Sequence, residues 1–162
     1  MSVMVESLIL GWDRNLNYAR RLLADVPEER MAHQPAVNMN HPAWLFSHLN
    51  LYHPVMVAML QGTPFEDPKC HKFGMQSKPE QDAGLYLSKA ELLYQYEQGH
   101  EDVKLALRTG GQMALEATTP LERWRGQMPQ VGIVLGYLML VHESTHLGQL
   151  SMWRRVQGMP SV

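Results

Sequence analysis

Apolar residues recur at steps of three and four along most of this chain, and no stretch shows clean apolar–polar alternation. That periodicity selects helices and leaves no strand from which to build a sheet. Leu8, Trp12, Leu16, Ala19 and Leu23 mark a first helix over Met4 to Ala24, ended by Val26-Pro27. Asn40-His41-Pro42 starts a second helix: Asn40 or His41 can cap it, and Pro42 fits the first turn, where no amide partner is needed. Pro54, inside it, removes a hydrogen bond and predicts a kink or local opening. Ser88 and Glu91 form a capping box for a third helix running to about Arg108, with Gly110-Gly111 as its stop. A last helix spans Gln130 to about Gln157, followed by Gly158 and Pro160. Four long helices in one chain of 162 residues predict a single all-α domain over 1–162. The architecture expected is a four-helix bundle with long crossover connections between helices two and three and between three and four.

The longest irregular stretch, 61–84, holds three prolines and mixed charge and reads as a crossover able to cover a site. Other properties remove function classes. The net charge is -2 and no basic block exceeds Arg154-Arg155, so nucleic acid has no electrostatic footprint here. No apolar run approaches the ~20 residues that cross a bilayer, so no membrane partner is expected. The N-terminus lacks the pattern of a signal peptide. A single cysteine, Cys70, excludes a disulfide framework within the chain and points to a reducing cytoplasm.

The chemistry concentrates in the last helix. His142 and His146 are four residues apart, which puts both rings on one face, about one turn apart. The string H-E-x-x-H is the zinc motif of metalloproteases, with the Glu as base. Yet Leu147 to Val162 contain no His, Asp, Glu or Cys to follow it as third ligand. A third ligand must come from upstream. His48 is the best candidate, because it shares a mid-helix apolar stripe with Trp44 and Tyr52 and a bundle lets facing helices aim side chains at one point. His100 is second, also on a helix stripe. His53 falls on another face beside Pro54, His41 sits at the helix mouth, and His33 and His71 lie in loops. Without a metal, each of these is an ordinary hydrogen-bonded histidine. Glu143 is a solvated helix residue, a candidate catalytic base on a metal-activated water, or a hydrogen-bond partner of a ligand.

The segment HESTHLGQLSMWRRVQGMP resembles the last-helix signature of the DinB superfamily (DinB/YfiT-like metalloenzymes). The matching positions are His142, His146, Gly148, Gln149, Arg154 or Arg155, and Gly158, and HPAWLFSHLNLY matches the helix-two part with His48. Leu147 stands where many relatives carry Arg. The resemblance implies a four-helix bundle, often a homodimer, holding one divalent metal, zinc or nickel, on His48, His142 and His146. It implies a small-molecule substrate and an enzyme that activates a bound water or thiol, either a hydrolase or a low-molecular-weight-thiol S-transferase. The alternative is a non-catalytic metal- or small-ligand-binding bundle of the stress-response kind.

Overall fold

The structure is a computed structural model and describes residues 2–162. Helix α1 (Val3–Ala24) begins at Ser2, whose hydroxyl accepts the Val5 amide. All five apolar positions predicted for it are buried. Helix α2 (Pro42–Gln61) is capped by His41, whose ring accepts the Trp44 amide. Fifteen of its 20 residues are buried, so α2 is a central helix enclosed on most sides. Helix α2 runs on through Pro54, where the sequence predicts a kink or local opening. The proline lies on the exposed face, where its ring meets solvent instead of a neighbouring helix.

Helix α3 (Lys89–Glu116) starts at the expected capping box, with Ser88 and Glu91 bonding reciprocally. Its regular run ends at the expected Gly110-Gly111 stop. Gly111 adopts φ 63°, the chain turns there, and helix resumes to Glu116. Burial of Leu115 anchors the added piece. A short α4 (Glu122–Arg125) precedes the last rod, which is α5 (Val131–Gly136), a π turn (Tyr137–His142) and α6 (Glu143–Val156) in one continuous run. Among the described residues there is no strand, only an isolated bridge between Thr118 and Gln130. The protein is thus an all-α helical bundle. No helix is long and apolar enough to cross a membrane.

The core divides into two halves along the bundle. One gathers Leu8, Trp12, Met56, Val103, Leu107 and Leu135; the other gathers Leu22, Phe46, Leu92, Tyr96, Leu147 and Trp153. The second half is closed at its end by buried Arg154, which donates to the Leu22 and Pro160 carbonyls and pairs with Asp25. Polar side chains occupy the level between the halves: His48 and His53 on α2, His100 on α3, His142 at the end of the π turn, and Glu143 at the start of α6.

Candidate metal centre

The turn spacing of α2 stacks Trp44, His48 and Tyr52. The Trp44 and His48 rings lie parallel at 4.8 Å, and Tyr52 meets His48 edge-on at 5.1 Å. Across from them, His142 and His146 project from successive turns of the last rod. The Nε2 atom of His142 lies 3.1 Å from that of His48 and 3.2 Å from that of His146. The three sequence-predicted ligands are therefore brought together, and the group could hold a metal ion.

Two of the rings are held by their other nitrogen. His48 Nδ1 donates to the Phe73 carbonyl at 2.6 Å. His146 Nδ1 donates to Gln149 Oε1 at 2.9 Å, and the same oxygen takes the Asn40 amide at 3.0 Å. Both acceptors are oxygens, so the proton of each neutral ring sits on Nδ1 and its Nε2 presents a lone pair. His142 Nε2 faces both lone pairs and carries at most one proton. At least one of the two contacts is therefore lone pair against lone pair, an arrangement that a cation among the three nitrogens relieves. Burial keeps the rings neutral: it pushes His48 down to about 4 and His142 to about 3, with the neighbouring histidines adding to the effect. Burial also lowers His146, against the opposing pull of its Gln149 bond. Neutral imidazoles with buried Nε2 lone pairs and bonded Nδ1 protons are the form in which histidine ligates metal. The donor set fits a divalent ion.

The pocket at the three rings has a volume of about 280 Å³ and is also lined by Trp44, Met75, Tyr137 and Thr145. The 61–84 stretch does cover it. The loop is tied to α2 by His41 to the Glu80 carbonyl, by Trp44 Nε1 to Ser77 Oγ and by His48 to Phe73. Gly74 makes the last tie possible: a Cβ there would lie 2.1 Å from the Pro68 carbonyl oxygen. Bidentate pairing of Arg123 with Asp67 fixes the loop to α4. Gln149, which reads in sequence as a plain polar position, orients a ligand. Phe73 acts through its backbone, which no side-chain pattern reveals.

Glu143, the sequence candidate for a base, does not line this pocket. Its carboxylate is buried on the opposite face of the rod, 3.3 Å from His100 Nε2. His100 lies there with His53, away from the three-histidine group, whereas His33 and His71 are exposed as expected. No curated protein and no solved structure matches the chain. A family model does match, over residues 12–150, and that span takes in the second half of α1, all of α2 and α3, and His48, His142 and His146: the chain belongs to the DinB superfamily.

Proposed function

We propose that this protein is a divalent-metal-dependent enzyme acting on a small molecule, with His48, His142 and His146 as the ligands of one zinc or nickel ion. The observation that carries the reading is the convergence of three Nε2 atoms with two of the Nδ1 protons already engaged. The chemistry such an ion supplies is a lowered pKa for a water or thiol in an open position, giving a nucleophile near neutral pH. The chain's own part is to hold and shape. Phe73 and Gln149 fix two rings, and Trp44 and Tyr52 pin His48 in a dry wall. The pocket lies at the small end of the ~300–1,000 Å³ usual for a ligand site, which suits a small substrate. Met75 and Tyr137, both partly exposed at its rim, meet that substrate. With its carboxylate facing His100, Glu143 is left out of the proton transfer. Hydrolysis and thiol transfer are the two forms of this reading. One free exposed thiol and no membrane-crossing helix agree with a cytoplasmic setting, which belongs to the same proposal.

The test is turnover of electrophile and ester panels by tag-free, zinc- or nickel-loaded protein, with and without a low-molecular-weight thiol. Consumption that requires the thiol marks an S-transferase; consumption without it marks a hydrolase. Both activities should vanish in His142→Ala. No turnover in any metal form would remove the enzyme reading and leave a binding bundle.

A further inference from the structure

On the other side of the rod from the three-histidine pocket, His53, His100 and Glu143 each offer a ligand atom within 4.8 Å of the other two. All three are at most 3% exposed. Three different helices supply them, which rules out a chance pairing along one helix face. The group is short of hydrogen bonds. His53 Nδ1 and Nε2, His100 Nδ1 and Nε2, Glu143 Oε1 and Tyr96 Oη are all buried without a well-formed hydrogen bond, six of the eight such atoms among the described residues; His100 Nε2 and Glu143 Oε1 only face each other at 3.3 Å, and the Tyr96 hydroxyl faces the same carboxylate. Buried polar atoms are nearly always satisfied, because an orphan keeps the full cost of its lost hydration. A single carboxylate oxygen cannot serve four ring nitrogens.

The surroundings preserve the vacancy of partners instead of filling it. Trp12 stacks on His100 at 3.8 Å and spends its own N–H on the His100 carbonyl. Tyr96 packs on the same ring at 4.4 Å. Gly99 lets α3 close onto His53: a Cβ there would stand 2.0 Å from His53 Nδ1 and 2.8 Å from its Cβ. His53 also reaches the floor of an open groove of about 730 Å³ between α2 and α3, so the cluster has an access path from solvent.

We infer that His53, His100 and Glu143 form a second site, for a divalent first-row metal ion, held by two imidazoles and a carboxylate. Nitrogen and oxygen donors without thiolate suit zinc, iron(II) or manganese(II). The Tyr96 hydroxyl, whose ring packs on His100 and which faces the Glu143 carboxylate, offers a further oxygen at the cluster. The site is independent of the three-histidine reading, because the two share no ligand.

Zinc counting on tag-free, chelator-stripped and reloaded protein tests it. Wild-type protein should hold two zinc ions per chain. His146→Ala should retain one, and added zinc should still raise its melting temperature. His53→Gln and Glu143→Gln should each lose one and keep the other. Wild-type protein that saturates at one zinc overturns the inference without any substitution, so a variant that misfolds does not shield it. Two zinc ions that survive both His53→Gln and Glu143→Gln overturn it as well. Failure of the three-histidine site shows separately, as a count that His146→Ala leaves unchanged.

Discussion

His142 and Glu143 are consecutive residues, yet they serve two polar clusters on opposite faces of one rod. On His142's side, the rings of His48 and His146 are aimed by acceptors beyond them, and the group opens to a pocket. On Glu143's side, neither His53 nor His100 makes a well-formed hydrogen bond through its ring, although the Glu143 carboxylate stands 3.3 Å from His100 Nε2, and aromatic rings pack against them. The first arrangement is oriented and accessible, as chemistry on a small molecule requires. The second is buried, with His53 bordering the groove between α2 and α3, and its placement between the two halves of the core makes it a structural element whatever occupies it. Side chains of the same kind, at the same level of the bundle, are thus given different work by what stands behind them.

The comparison breaks most sharply at His142, whose Nε2 faces both other ligands. His142→Ala should weaken zinc binding at the pocket by more than the ~10–100-fold that loss of an orienting partner costs, measured by competition with a chromophoric chelator. Affinity within a few-fold of wild type would dissolve the distinction between the clusters. Gln149→Leu, which removes only the acceptor behind His146, should cost ~10–100-fold by the same titration. Gly99→Ala should act on the other side alone. Its Cβ meets the rigid base of the His53 ring, so α2 and α3 must part, at a cost of about 1–3 kcal/mol in denaturant unfolding. Zinc binding at the pocket should not change.

Acid should probe the second cluster through His53, with a smaller effect. An unfolded histidine takes up a proton below about 6.5, whereas buried His53 does so only near 3. Between those values the unfolded chain holds more protons. Stability of the metal-free protein is therefore full above pH 6.5 and falls as pH drops toward 3, by up to about 1.4 kcal/mol per pH unit for this one group. Urea unfolding between pH 7 and 5 should show the slope, and His53→Gln should flatten it. An unchanged slope in that variant would mean that His53 is not held neutral by burial.

Much of this was legible before any coordinates. The stripe in α1, the His41-Pro42 start of α2 and the capping box of α3 are local signals, and local signals survive folding. His48 was legible because a polar ring on the Trp44–Tyr52 stripe must find a partner in the core. The direction of Glu143 was not. A π turn over Tyr137–His142 changes the register of the rod just before it, and nothing in YLMLVH announces that turn. Phe73 escaped because its contribution is a carbonyl placed by the Gly74 turn, and Gly99 because its role is the close approach of another helix. The Gly110-Gly111 stop of α3 is, like its capping box, a local signal: Gly111 leaves helical geometry there, and the helical piece that follows is anchored by Leu115.

The central claim is that three imidazoles of one chain meet on one ion in the pocket. Zinc K-edge X-ray absorption on tag-free His53→Gln protein, which keeps only the pocket site, carrying one equivalent of zinc tests it most directly. The account predicts three imidazole nitrogens at about 2.0–2.1 Å, with the remaining coordination from a light atom or a thiol sulfur. Zinc bound by two imidazoles or fewer would contradict it.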